Sequence, residues 1–152
     1  MRSNFKMKIY FAGGWFSPAQ EEEHTRIGNF LERRKNLEVF NPRTAGGDFK
    51  VGKETDHMTQ VLLNNCKAID EADLVVAITD YKDMGTLWEC GYAYAKQKPV
   101  IYYCETLGDK PFNLMLAKTG RVARDIDELE NLLVDKDSYV FKQVHSFDGL
   151  VE

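Results

Sequence analysis

The densest run of chemically capable residues is Asp80-Tyr81-Lys82-Asp83-Met84-Gly85-Thr86-Leu87-Trp88-Glu89-Cys90-Gly91-Tyr92. Gly85 and Thr86 allow a tight turn, and Thr86 can cap a helix, which would put Glu89 at its third helical position. Two readings of Glu89 follow. It closes a capping box with Thr86, or it faces a cleft as a carboxylate nucleophile or base kept ionised by the helix N-terminus. Asp83 is either a solvated loop residue beside a glycine or a group that exchanges a proton with a leaving group.

A second candidate run is Tyr10 followed by Gly13, Gly14, Trp15 and Phe16. The two glycines fall short of a GxGxxG dinucleotide fingerprint and support a tight turn with close backbone approach. Trp15 and Phe16 are either core or an apolar wall for a planar ring. A buried Tyr10 phenol would need a hydrogen-bond partner, and Glu89 is a candidate. His24, His57 and His145 share no spacing, so none is assigned as ligand or base, and neither metal nor cofactor is expected.

The elements that must position these groups alternate. Lys8-Ile9-Tyr10-Phe11-Ala12 reads as a first strand, and a helix opens at Ser17-Pro18-Ala19-Gln20 with Ser17 as cap and Gln20 closing a capping box. Glu21, Glu22 and Glu23 match that helix dipole, and Ile27, Phe30 and Leu31 form its apolar stripe. Leu37-Glu38-Val39-Phe40 is a second strand, followed by a polar loop through Gly46-Gly47-Asp48. Met58, Val61, Leu62, Cys66 and Ile69 mark a helix over 54–71. Leu74-Val75-Val76-Ala77-Ile78 is a strand buried on both faces. A helix over 86–97, the strand Val100-Ile101-Tyr102-Tyr103, a short helix over 112–117, an edge strand over 121–123 and a helix over 127–134 complete the series. This order predicts one α/β domain over residues 1–152: a doubly wound, flavodoxin-like or Rossmann-like, mostly parallel five-stranded sheet with helices on both faces. Segments 13–17, 80–89 and 104–113 should then meet at the carboxyl ends of the strands.

Composition narrows the function classes. The chain has 152 residues, 43% hydrophobic and 29% charged, with a formal charge of -4, which argues against nucleic acid as the main partner. No stretch approaches the ~18 consecutive apolar residues of a membrane span. Three cysteines, Cys66, Cys90 and Cys104, without CxxC spacing suit a reducing compartment, and the expected location is the cytoplasm.

Taken together the motifs resemble the nucleoside 2-deoxyribosyltransferase family. The resemblance runs through Ile9-Tyr10-Phe11-Ala12-Gly13 with Trp15-Phe16, then Ala72-Asp73 before Leu74-Val75-Val76-Ala77, then Asp83 to Ala93. It continues in Lys98-Pro99-Val100, Lys110-Pro111-Phe112-Asn113-Leu114-Met115 and Phe147-Asp148-Gly149-Leu150-Val151.

The resemblance implies a salvage enzyme that moves 2-deoxyribose between nucleobases by double displacement. Glu89 matches the covalent nucleophile, Asp83 the aspartate that handles the proton of the base, and Tyr10 the tyrosine that holds the nucleophile. Gly13, Trp15, Phe16, Asn65, Gly85, Asn113 and Met115 fall at substrate-binding positions. Asn113 matches an asparagine that reaches the sugar from a neighbouring subunit, so a homo-oligomer is implied, commonly a hexamer of three dimers. The implied partners are small molecules, 2-deoxyribonucleosides and free nucleobases, with no nucleic acid and no membrane. Some family members carry aspartate where this chain has Asn65, and Gly46 replaces a glutamine of others. The alternatives are a 2-deoxynucleoside 5-monophosphate N-glycosidase and a non-catalytic nucleotide-binding module.

Overall fold

The computed structural model describes residues 5–45, 56–143 and 147–152, so the loop stretch expected through Gly46-Gly47-Asp48 and His145 lie outside the described residues. The elements are β1 (Met7–Ala12), α1 (Pro18–Glu32), β2 (Leu37–Phe40), α2 (Pro42–Ala45), α3 (Asp56–Glu71), β3 (Leu74–Ile78), α4 (Met84–Ala95), β4 (Val100–Tyr103), α5 (Leu114–Thr119), β5 (Arg121–Ala123) and α6 (Ile126–Val134). A single 3-10 turn, Lys136–Tyr139, follows α6.

Five strands form one sheet in the order β2-β1-β3-β4-β5, and every pairing is parallel. The chain winds outward from β1 to β2, crosses back to β3, and then continues to β4 and β5. The direction of winding therefore reverses between β1 and β3, where open α/β sheets hold their ligands at the carboxyl ends of the strands.

Side chains alternate along a strand, so β1 feeds two cores. Ile9 and Phe11 pack with Ile27, Leu31, Val76, Ile101 and Leu129 on the side of α1 and α6. Tyr10 and Ala12 pack with Ile69, Val75, Ala77, Cys90, Ala93 and Phe112 on the side of α3, α4 and α5. Every residue of β3 is buried, as a strand covered on both faces requires.

Helices α4 and α5 depart from the sequence expectation for identifiable reasons: α5 runs over Leu114–Thr119 instead of 112–117 because Asn113 caps it. Helix α4 begins at Met84, ahead of Thr86, because Asp83 caps it. It stops before Gln97, which adopts a left-handed φ of 57°. There Lys98 N–H donates to the Ala93 carbonyl and Gln97 N–H to the Tyr94 carbonyl, at 2.9 Å each, closing a Schellman turn.

Candidate active site

Strand β1 delivers Tyr10 and helix α4 delivers Glu89. Tyr10 is fully buried, and its ring stacks on Phe40, its register partner on β2, with centroids 5.6 Å apart and planes 15° from parallel. Its hydroxyl donates a hydrogen bond to Glu89 Oε2. Burial pushes the Glu89 carboxyl up to about 8. Glu89 is therefore not the capping-box partner of Thr86, and it sits in the second turn of α4, beyond the first-turn position that would keep it ionised.

The cap belongs to Asp83. Its Oδ2 accepts from both the backbone N–H and the hydroxyl of Thr86, at 2.9 Å each. The turn before it is closed by Lys82 N–H donating to the Thr79 carbonyl at 3.1 Å, with Lys82 at a left-handed φ of 51°. Gly14 lies against the opposite side of this carboxyl: a Cβ there would stand 3.2 Å from both Cγ and Oδ1 of Asp83. At Gly13 a Cβ would stand 3.1 Å from His24 Nδ1. The glycine pair thus serves close packing of the loop against the site. Gly85 borders the cap from the other side, its notional Cβ 3.4 Å from Asp83 Oδ2.

Trp15 and Phe16 stack with centroids 5.3 Å apart and planes 27° from parallel. Phe16 is 68% exposed, which is the disposition of a wall and not of a core residue. Its backbone is fixed by α1: Ser17 Oγ accepts from Gln20 N–H at 3.2 Å, while the Gln20 side chain accepts from Phe16 N–H at 3.0 Å. The capping box therefore closes one residue earlier than its sequence pattern indicated, on the aromatic residue itself.

Asn65 is half-buried on α3 and lines a cavity of about 230 Å³ together with Phe40, the residue stacked on Tyr10. Asn113 caps α5, its Oδ1 accepting from Met115 N–H at 3.0 Å and Leu116 N–H at 3.2 Å. It lines a separate cavity of about 680 Å³ with Asp80, Lys82, Leu87, Thr106 and Lys110. The Phe112–Leu114 backbone is clamped by the chain end, with Phe112 N–H donating to Leu150 at 2.8 Å and Leu114 N–H to Glu152 at 2.9 Å. Met115 is 69% exposed. None of the described contacts joins Asn113 or Met115 to Tyr10 or Glu89 within this chain.

Two neighbours of the site carry no motif. Phe40 becomes visible only when β2 is set in register with β1. His24 is buried beside Gly13, its Nε2 3.1 Å from Asn41 Oδ1, and burial holds its pKa below the usual imidazole value. Among the described residues no group of three or more His, Cys, Asp or Glu side chains is placed to hold a metal ion, and no helix is long and apolar enough to cross a membrane.

Comparison with known proteins gives this arrangement a context. The family described as nucleoside 2-deoxyribosyltransferase matches residues 9–133. A 2-deoxyribosyltransferase from Bacillus psychrosaccharolyticus superposes with a TM-score of 0.72 at 26% identity, covering 90% of this chain and 98% of that one. A conserved protein from Enterococcus faecalis V583 shares the fold at a TM-score of 0.56 and 22% identity, over 90% of this chain and 80% of that one. A Clostridium botulinum CMP N-glycosidase shares it at 0.52 and 19% identity, over 83% and 97%. A search of curated proteins found no match.

Proposed function

The chain belongs to the nucleoside 2-deoxyribosyltransferase family, and from that membership we propose that it moves 2-deoxyribose from one nucleobase to another through a covalent intermediate on Glu89. The observation that carries the reading is the Tyr10 to Glu89 hydrogen bond at the sheet's switch point. A half-buried carboxyl held by one phenol donor has an oxygen left to meet the sugar.

Breaking a bond between sugar and base places oxocarbenium-like charge on the sugar, which a carboxylate beneath the ring stabilises and then captures. The glycosidic electron pair leaves with the base, and Asp83 supplies the proton that keeps the base from departing as an anion. An incoming base then attacks the anomeric carbon, the glutamyl ester bond breaks, and Asp83 takes back a proton. Two displacements on opposite faces retain configuration, and water in place of the second base gives slow hydrolysis. Phe16 and Trp15 wall the base, with Gly13 and Gly85 allowing close approach and Asn65 bearing on base preference.

Asn113 completes the site from a neighbouring subunit. Its Oδ1 is committed to the α5 cap, which leaves the amide nitrogen to donate to a sugar hydroxyl, with Met115 beside it. Met84, Trp88 and Met115, exposed by 86%, 53% and 69%, suit a face covered by a second copy, in a dimer-based hexamer. The free thiols Cys66, Cys90 and Cys104 suit the reducing cytoplasm.

The test is chromatography of the protein incubated with thymidine plus adenine and with deoxyinosine plus adenine, beside controls without acceptor. Deoxyadenosine from both donors supports transfer with broad base use; product from deoxyinosine alone supports a purine-restricted transferase. Free base formed equally with and without adenine, or cleavage of the 5-monophosphate in preference to thymidine, would replace this reading with a hydrolase. Nucleotide binding without any product would leave a binding module.

A further inference from the structure

We infer that Glu23 carries a proton and shares it with Asp80, and that this carboxyl pair locks the turn leading to Asp83 in place. Glu23 belongs to the inward stripe of α1 with Ile27 and Leu31, and it is only 2% exposed. Its Oε1 and the Oδ2 of Asp80 are both buried, and neither receives a hydrogen from any other described group. The two carboxyl groups lie within hydrogen-bonding reach of each other. Two neighbouring buried carboxyl groups, each with an oxygen that lacks a donor, are satisfied by one proton between them.

The other oxygen of Asp80 ties in a third segment. Asp80 Oδ1 accepts from the backbone N–H and the hydroxyl of Thr106, at 2.8 Å each. The pair therefore joins α1, the turn after β3 and the loop after β4 at one point, just upstream of Asp83. The charged and titratable groups around it are Glu22 and Arg26 on α1, Tyr81 beside Asp80, and Tyr103, Cys104 and Glu105 at the end of β4. Arg26 is held by Glu105 at 2.7 Å and by Glu22 at 3.0 Å, so it offsets the local negative charge without reaching the pair.

Burial first, and the bond to Asp80 next, push Glu23 up to about 9. Asp80 stays below the usual carboxylate value: burial opposes this, but the bonds from Glu23 and Thr106 outweigh it. In the unfolded chain Glu23 loses its proton above about 4.5, whereas in the fold it keeps it up to about 9. The stability that the pair contributes is therefore fully present at the acid end and is lost as pH rises through that window.

The experiment compares the melting temperatures of the full chain, Glu23→Gln and Glu23→Ala between pH 5 and 9. Glutamine donates N–H to Asp80 and does not titrate, so its melting temperature should gain on wild type steadily as pH rises. Parallel pH dependences of Glu23→Gln and wild type would overturn the shared proton. The catalytic half rests on the role proposed for Asp83 and is read separately. Glu23→Ala should lower kcat about tenfold through a displaced turn, with little change in KM for the nucleoside, and Glu23→Gln should restore most of it. Equal kcat in Glu23→Ala and wild type would overturn the positioning role. If wild type transfers no deoxyribose, the transferase reading fails while the melting comparison still decides the proton. If Glu23→Ala does not fold, Glu23→Asp, whose shorter side chain withdraws the proton from Asp80, takes its place in the kcat comparison.

Discussion

Tyr10 and Glu89 stand 79 positions apart in the sequence, yet one hydrogen bond from phenol to carboxyl couples them and fastens α4 to β1. Burial favours the neutral acid at Glu89, and the Tyr10 hydroxyl favours the carboxylate. The working form of the residue is set between these two opposed influences.

Transfer by wild type should therefore rise with pH through about 8, because the ionised carboxylate is the attacking species. Tyr10→Phe removes the donor, and its pH profile should move to higher pH. A hydrogen bond to a charged group contributes about 1.5–3 kcal/mol, so the rate at neutral pH should fall roughly ten- to hundredfold. Steady-state rates from pH 6 to 10 check both; coincident profiles would remove Tyr10 from the mechanism.

Glu89→Gln should abolish transfer while keeping the fold, since the amide oxygen still accepts from Tyr10. The raised acid contributes stability at the acid end that is lost as pH rises through about 8. The variant should thus melt progressively later than wild type as pH rises from 5 to 9. Full activity in this variant would end the nucleophile assignment.

Asp83 caps α4, and the proposed mechanism gives it a second duty that substitutions separate from the first. Asn caps as well as Asp, so Asp83→Asn should keep its melting temperature and lose turnover about a hundredfold. Asp83→Ala should lose the same activity and also about 1 kcal/mol of stability from the cap. Nucleosides whose bases leave without protonation should suffer least in both variants, and rates with paired donors measure this.

A methyl group at Gly14 would press on the Asp83 carboxyl, which the cap holds from its other side. Gly14→Ala should slow transfer about tenfold with a small change in melting temperature. In the double variant with Asp83→Asn the two losses should not add, because they act through one group. Full additivity would separate the glycine from the aspartate.

If Asn113 serves a neighbouring subunit, two inactive proteins can repair each other. Glu89→Gln mixed with Asn113→Ala and reassembled should regain activity in about a quarter of the sites, by random pairing of subunits. No recovery in a demonstrably mixed oligomer would return Asn113 to its own chain.

The strands were legible because continuous apolar runs bounded by turn residues admit few alternatives: β2, β3, β4 and β5 stand where the pattern predicts them. The start of α4 was less legible because Asp83 and Thr86 are both good caps. The structure uses one to bind the other, which carries Glu89 from the first turn to the second. Glu23 fits dipole matching at the start of α1, although its position four before Ile27 and eight before Leu31 already sets it on the buried stripe. An acid on such a stripe is a signal in itself. Phe40 depends on strand register, which no local pattern encodes. Leu62 fits the helical stripe with Met58, Val61, Cys66 and Ile69 but stands 49% exposed, beside Leu63 at 55%.

Tyr10 lies on a strand paired on both sides, and its partner sits inside a helix, whereas Phe16 and Asp83 stand on the connecting segments. On the proposed reading, the half of the machinery aimed at the sugar is built into the scaffold, and the half aimed at the base stands on connecting segments. A lineage, or an engineer, could then retune which bases are accepted by rewriting the segment around Phe16, while Glu89 keeps its alignment with Tyr10.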